Sequence, residues 1–238
     1  MKKLIIASFL LLAAFQVHSQ YIRLGFQAGR SQFSMEKLKS INKQIQQSFP
    51  VETKQISNYP SNWYYQPILL TNVNIIDFGI FYSFQSTGSR ISAKDYSGEY
   101  KFETDLKSNT FGIHAAIPVV KMRRVELSLY SEVGVISSDL EMKEYLNLMD
   151  STYVEDEYQF HAKNFIFEPG LNLTYYPFDF LGITFNAGYS LLFGDNAYFS
   201  DELDTPLYYS TPQEQHEVKP EWSGLRLGLT VYVRILQY

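Results

Sequence analysis

Aliphatic side chains occupy every second position of 225–235, the last long stretch of the chain. The positions between them carry arginine, glycine, threonine and tyrosine. A period of two over this length predicts a β-strand with one apolar face and one polar face. The same alternation recurs upstream and is most regular over 181–193.

Eight strands of this kind are predicted along the chain, with the last one centred on 225–235. The other seven are expected at 21–33, 73–85, 90–104, 109–120, 125–138, 163–176 and 181–193. Long connections are expected at 34–71, 139–162 and 195–221, and short turns or links at 87–89, 105–108, 121–124 and 177–180. Long loops at one end and short turns at the other are typical of an eight-stranded antiparallel transmembrane β-barrel.

The first long connection contains one predicted helix. Its apolar positions have helical spacing: Leu38, Ile41, Ile45 and Phe49. Ser34 is the expected N-cap, and Pro50 is expected to end the helix.

The first 19 residues have the pattern of a secretory signal peptide, which leaves 20–238 as the barrel domain. Lys2 and Lys3 precede an apolar run at 4–15, and small residues precede Gln20. The run is too short for a membrane-spanning helix, which needs about 20 residues. The chain contains no cysteine, so disulfides do not contribute to its stability despite the exported address.

Alternation alone does not tell which face is turned to lipid, because a soluble lipocalin-like barrel would bury its aliphatic face. Here the polar face carries mainly glycine and small polar residues, which suit the narrow interior of an eight-stranded barrel. Aromatics make up 16% of the chain, as expected for girdles at two membrane interfaces. The residues expected to face lipid, with Ile183 left unassigned, are Phe185, Tyr189, Leu191, Leu227, Leu229 and Val231.

Charges of both signs share the polar face, so a paired network that plugs the lumen is expected, because an isolated buried ion is very costly. The expected members are Arg23, Asp77, His114, Glu126, Glu132, Glu168, Arg226 and Arg234.

Candidate chemistry outside the lumen is confined to the connections. His161 and His216 lie in or beside long connections, near serine and acidic residues, without a recognisable catalytic spacing. The acidic clusters of the last two long connections lack EF-hand spacing, so we expect no metal site and no cofactor. The formal net charge of −5 argues against nucleic acid as a partner.

The signal followed by Gln20, the eight amphipathic strands with glycine-rich inner faces, and the terminal Tyr238 resemble the OmpA/OmpX-like outer-membrane β-barrel superfamily. In that group the terminal aromatic usually shares the parity of the apolar residues. Here Tyr238 is out of phase with 225–235, which either departs from the group's assembly signal or implies a bulge at the end of the last strand.

The resemblance implies a monomeric barrel of the bacterial outer membrane, in contact with outer-membrane lipids and with a protein partner at its loops. The expected function is non-enzymatic: surface binding, adhesion, envelope integrity or assistance to a secretion machine, through long extracellular loops and with the lumen plugged. The alternatives are a lipid-modifying enzyme with a loop-borne site near His161 or His216, a small pore, and a soluble ligand carrier.

Overall fold

The computed structural model describes residues 19–48, 54–94, 96, 98–148, 151–200, 202–210 and 215–237. The predicted signal peptide lies outside these residues except for its last position. Among the described residues, no helix is long and apolar enough to cross a bilayer.

Eight long antiparallel strands close into a barrel. They are β1 (Ser19–Ser31), β2 (Asn62–Val73), β3 (Ile76–Lys94), β4 (Gly98–Lys121), β5 (Val125–Leu148), β6 (Ser151–Phe178), β7 (Leu181–Phe193) and β8 (Gly224–Gln237). Each strand from β1 to β8 pairs with the next, and β1 pairs with β8. The expected architecture of eight antiparallel strands is therefore confirmed.

The predicted strand count is right because two errors cancel. The region 62–71, predicted as part of a long connection, is the strand β2. The strand predicted at 90–104 is wrong, because its two halves belong to β3 and β4, which meet at a hairpin between Lys94 and Gly98. The predicted turn at 87–89 and link at 105–108 are also wrong, since Gly88 pairs with Asp105 inside this hairpin.

The predicted long connection at 139–162 is a second extended hairpin. β5 continues to Leu148 and β6 begins at Ser151, and Asp139 pairs with His161. The long strands therefore project well beyond the ends of β1, β2, β7 and β8 at the extracellular end. The turns at the other, periplasmic end are short, at 74–75, 122–124 and 179–180.

The polarity of both faces reverses along the long strands. On β4 the outward positions change from Glu99, Lys101, Glu103, Asp105 and Lys107 to Phe111, Ile113 and Ile117. The inward positions of the same strand change from buried Tyr100, Phe102 and Leu106 to buried Thr110 and His114. The barrel is thus apolar outside and polar inside near the periplasmic end, and the reverse in its projecting part.

The reversed part forms what we call the extracellular body, comprising the described residues of 32–61, 86–107, 136–163 and 194–223. Its apolar core is made by inward side chains of β3 to β6 together with the first and last connections; fully buried members are Met35, Leu38, Ile91, Leu106, Ile136, Leu140, Tyr198, Val218 and Trp222. Short strands complete it at Lys54–Asn58, Phe199–Ser200, Thr205–Pro206, Tyr208–Ser210 and Gln215–Glu217.

The predicted helix is present as α1 (Glu36–Ser48), with Leu38 buried and Ile41 and Ile45 half-buried against the core. Phe49 and Pro50 lie outside the described residues. Ser34, the expected N-cap, does not bind the first turn of α1. Instead, the Lys37 N–H donates to Glu221 Oε2 at 3.1 Å. A carboxylate from the last connection therefore takes the place of a local cap.

A bulge near the chain end, one of the two explanations for the phase of Tyr238, is present. Arg23 faces Arg234 and the preceding Ile22 faces Leu236, so Ile235 is an extra residue on β8. A one-residue bulge of this kind inverts the face on which later residues of the strand fall. Tyr238 itself lies outside the described residues.

Candidate functional site

The charged positions expected in the lumen fall into two groups at different depths. His114, Glu132, Glu168 and Arg226 lie together in the middle of the barrel, and Arg23, Asp77, Glu126 and Arg234 lie toward the periplasmic end. Seven of the eight side chains are buried, and Arg234 is half-buried at the periplasmic mouth.

The Arg226 guanidinium is the centre of the middle group. Its Nη1 donates to Glu168 Oε2 at 2.9 Å, and its Nη2 lies 3.0 Å from Ser83 Oγ. The guanidinium also stacks over the Tyr64 ring, 3.8 Å from its centroid. One side chain of β8 therefore contacts residues of β2, β3 and β6.

The second carboxylate of this group, Glu132, is held by one amide and by a histidine. Gln66 Nε2 donates to Glu132 Oε1 at 2.7 Å, and His114 Nδ1 lies 2.9 Å from the same oxygen. The Tyr130 hydroxyl donates to Glu168 Oε1 at 2.7 Å, and its ring stacks on His114. Both buried carboxylates thus have several partners, which offsets the cost of removing them from water.

Glycines make room for the tyrosines of this network. A Cβ at Gly188 would collide with the Tyr130 hydroxyl and lie close to Glu168, and one at Gly228 would collide with the Tyr64 hydroxyl. The glycine-rich inner face therefore has a packing reason, because the tyrosine side chains lie against bare backbone.

The periplasmic group is built around Arg23. Its guanidinium forms a salt bridge with Asp77, which also accepts a hydrogen bond from Asn72 Nδ2 at 2.9 Å. The Tyr21 ring centroid is 5.0 Å from the guanidinium carbon of Arg23 and 4.5 Å from that of Arg234. Both arginines therefore make cation–π contact with one ring, and Asp77 supplies the counter-charge of Arg23.

An apolar layer separates the two groups. Ile68, Leu70, Phe81 and Tyr232 are buried in contact inside the barrel. Phe81 lies between Asp77 and Ser83 on β3, and Ile68 and Leu70 lie between the polar groups on β2 in the same way. Counted from the periplasm, the interior is polar, apolar, polar, and then apolar again in the extracellular body.

Sequence reasoning missed the contribution of β2 to this interior. Tyr64 and Gln66 belong to the strand that the sequence pattern predicts as a loop, and its outward positions include Trp63, Tyr65 and Pro67. Large side chains on both faces leave no alternation to detect, and a proline within the run argues against a strand. The usable signal was the density of aromatic and aliphatic residues at 63–70.

The outward face of the lower barrel is apolar over its whole height. The side chains expected to face lipid are exposed there, with Phe185, Tyr189 and Leu229 each about half exposed, Leu227 and Val231 exposed, and Leu191 intermediate. A water-soluble barrel would not expose a continuous apolar belt around a polar interior. The protein is a transmembrane β-barrel. Closed barrels of this pattern, with short periplasmic turns and longer extracellular segments, are proteins of the bacterial outer membrane.

Comparison of this barrel with solved structures finds small outer-membrane proteins. The chain is similar to neisserial surface protein A, at 12% identity over 90% of this chain and 97% of that one, with a TM-score of 0.40. It is similar to a major outer membrane protein of Thermus thermophilus, at 11% identity over 90% and 99%, with a TM-score of 0.49. It is also similar to the attachment invasion locus protein Ail of Yersinia pestis, at 12% identity over 91% and 97%, with a TM-score of 0.38.

No protein-family model matches the chain. No curated protein matches it either.

The two candidate histidines lie in the extracellular body on different elements. His161 is on β6, where its ring packs edge-on against Phe199 at a centroid distance of 6.4 Å. His216 is exposed in the short strand Gln215–Glu217, which pairs with Tyr208–Ser210. Within the described residues, no three histidine, cysteine, aspartate or glutamate side chains are grouped so as to hold a metal ion.

Glu221 links the last connection to α1 and carries a perturbed carboxyl. Burial raises the pKa of Glu221, while the hydrogen bond from the Lys37 N–H opposes the rise. The net effect is a pKa above the ordinary glutamate value, so the packing of α1 depends on a group that is costly to ionise.

Proposed function

We propose that the protein is a non-enzymatic outer-membrane barrel with a closed interior, which acts through its extracellular body in binding at the cell surface. The observation that carries this proposal is the filling of the interior at successive levels. The Arg226 network, the Ile68–Phe81 layer and the core of the extracellular body leave the projecting hairpins, α1 and the last connection as the accessible parts.

A closed interior predicts an absence of conductance. The purified barrel inserted in a planar lipid bilayer is expected to give no steady current of nanosiemens size. A stable open current would support the pore alternative and contradict the proposal.

Shortening the extracellular hairpin of β5 and β6 would remove part of the extracellular body and leave the pairing of the two strands below Ser138 and Ala162 in place. Ser138 faces Ala162 in the register, so a tight Asn-Gly turn placed there would close the shortened hairpin. The shortened barrel is expected to retain the heat-modifiable gel mobility of the folded protein. Cells that display it are expected to lose attachment to protein-coated or polysaccharide-coated surfaces relative to cells with the full barrel.

The enzyme alternative is tested with the same preparations. Folded wild-type protein is expected to produce no hydrolysis or acyl transfer on outer-membrane lipids. Activity that disappears in His161→Ala or His216→Ala would overturn the non-enzymatic assignment.

In the attachment experiment, unchanged attachment by the shortened barrel would overturn the role of the extracellular body.

A further inference from the structure

Each of the three short turns at the periplasmic end carries an exposed apolar side chain. The exposed fraction is 68% for Ile75, 66% for Met122 and 57% for Phe180. Tight turns that face water are dominated by glycine, proline and small polar residues. Large apolar side chains on all three turns at one end of the barrel therefore favour contact of this end with lipid.

The aromatic residues next to these turns agree with this depth. Phe178 and Phe180 stack with their ring centroids 5.5 Å apart, and Tyr175 faces Val125 at the start of β5. The three aromatic side chains are exposed. Exposed aromatic residues are enriched at the headgroup level of membranes. The turn between β4 and β5, at 122–124, therefore lies at the level of the headgroups of the periplasmic leaflet.

This turn differs from the other two in its charge. The segment 121–124 contains one lysine and two arginines, all exposed, whereas the turns at 74–75 and 179–180 contain no cation. Within the part of the chain that the structure describes, Arg123 and Arg124 form no ion pair. The charge of these two arginines is thus left to anions of the surroundings to neutralise.

The end of β4 places apolar side chains directly before these cations. The pairing of β4 with β5 shifts by one residue between Pro118 and Val120, and both Val119 and Val120 are exposed. A bulge of this kind redirects side chains at the rim of a barrel. The next residue, Lys121, has its Nζ 3.8 Å from Glu126 Oε2. An acyl chain beside the two valines would therefore bring its headgroup to the arginines.

We propose that the turn at 122–124 binds the headgroup of an anionic phospholipid of the periplasmic leaflet. Arg123 and Arg124 would donate hydrogen bonds to its phosphate oxygens, and an acyl chain would lie along Val119 and Val120. Arginine forms strong charge-assisted hydrogen bonds with phosphate, and each cation near an anionic membrane surface adds to the attraction. The proposal is independent of the function proposed for the extracellular body, because it concerns the opposite end of the barrel.

The test uses the folded full-length barrel in nanodiscs of phosphatidylethanolamine. Because the chain contains no cysteine, one fluorophore can be attached through Met122→Cys, or through Ile75→Cys at the uncharged turn as the control. A small fraction of phospholipid with a nitroxide on its acyl chain near the headgroup is added, either as phosphatidylglycerol or as phosphatidylethanolamine. Quenching of the fluorophore measures how often each lipid lies beside the labelled turn.

At Met122→Cys, the phosphatidylglycerol probe is expected to be enriched about fivefold over the phosphatidylethanolamine probe, the ratio expected for one cation near an anionic surface. At Ile75→Cys, the two probes are expected to quench equally.

Adding Arg123→Gln and Arg124→Gln to the labelled Met122→Cys barrel is expected to abolish the preference for phosphatidylglycerol. The matched control adds Lys43→Gln and Lys54→Gln, which remove two exposed cations from the extracellular body, and is expected to leave the preference unchanged.

Three outcomes would overturn the proposal. One is an equal preference for phosphatidylglycerol at both labelled turns, which would mean general enrichment around the barrel. Another is a preference that survives the removal of both arginines. The third is a lack of quenching by either probe at Met122→Cys, with fluorophore emission typical of water, which would place the turn in the periplasm.

Discussion

Arg226 shows how a single ion can be accommodated inside a narrow barrel. Its charge is opposed by Glu168 at 2.9 Å, and its planar face rests on Tyr64. Only arginine offers a planar fork of donors that can bond Glu168 and Ser83 and stack at the same time. The network therefore depends on this residue more than on any one of its partners.

Arg226→Met is expected to lower the free energy of unfolding by about 3–5 kcal/mol, because it leaves Glu168 buried without its counter-charge. The measurement is denaturant unfolding in lipid vesicles. Arg30→Met, on the exposed face of β1, is the control and is expected to change stability by less than about 0.5 kcal/mol. Adding Glu168→Gln to Arg226→Met should recover part of the loss, and a further loss would contradict the ion-pair account.

Gly188→Ala is expected to destabilise the barrel by about 1–3 kcal/mol, because the added methyl would displace Tyr130 from Glu168. Gly182→Ala is the comparison, since its Cβ would approach the Tyr176 ring at 3.1 Å and Thr174 at 3.6 Å, with no closer contact. The two variants are compared by the same unfolding measurement. Equal effects would show that Tyr130 is not constrained by the glycine.

Whether a strand could be predicted from the sequence depends on whether it lies wholly within the membrane or extends beyond it. Where a strand lies wholly within the membrane, as β7 does, one face is apolar throughout and the alternation predicts both bounds correctly. β4 and β5 cross from lipid into water, and their apolar face changes sides near Ser108 and Ser137. The reversal interrupts the period without interrupting the strand, so the sequence pattern predicts turns and loops where the strands continue.

The charged residues of the interior could also be predicted from the alternation of apolar and polar positions, but only within each strand. All eight charged positions proposed from parity lie on strands whose phase was read correctly, and the structure places them in two separate groups. The apolar layer of Ile68, Leu70 and Phe81 was not predicted, because two of its residues come from β2. Which charges meet depends on the stagger between strands, and this cannot be read from one strand at a time.

The docking of α1 depends on a residue far away in the chain. Glu221→Leu is expected to loosen the extracellular body, because the Lys37 N–H loses its acceptor, whereas Glu221→Gln keeps an oxygen there. Limited proteolysis of folded barrels in vesicles should show faster cleavage in the leucine variant only. Cleavage at the wild-type rate in both variants would show that the cap has no role.

The raised pKa of Glu221 gives the same region a pH dependence. A carboxyl whose pKa is raised in the folded state holds its proton more tightly there than in the unfolded chain. Its stabilising effect is therefore full below the ordinary glutamate pKa and is lost as the pH rises through the raised value. Proteolysis of the extracellular body should slow on acidification in the wild type, with a smaller change in Glu221→Gln.

At the scale of the whole molecule, one continuous set of strands builds two bodies of opposite polarity. The lower part exposes an apolar belt around polar and apolar internal layers, and the upper part has a polar surface over an apolar core. The membrane boundary then lies where the outward face of the strands changes from apolar to polar.

The position of this boundary can be measured directly. Because the chain contains no cysteine, a single thiol can be introduced at each chosen position. Four variants on the outward face of β4, Glu103→Cys, Lys107→Cys, Phe111→Cys and Ile113→Cys, are labelled with a water-soluble maleimide in intact vesicles. Rapid labelling is expected at 103 and 107, and protection is expected at 111 and 113. Equal rapid labelling at all four positions of the folded protein would contradict the placement of the apolar belt in the membrane.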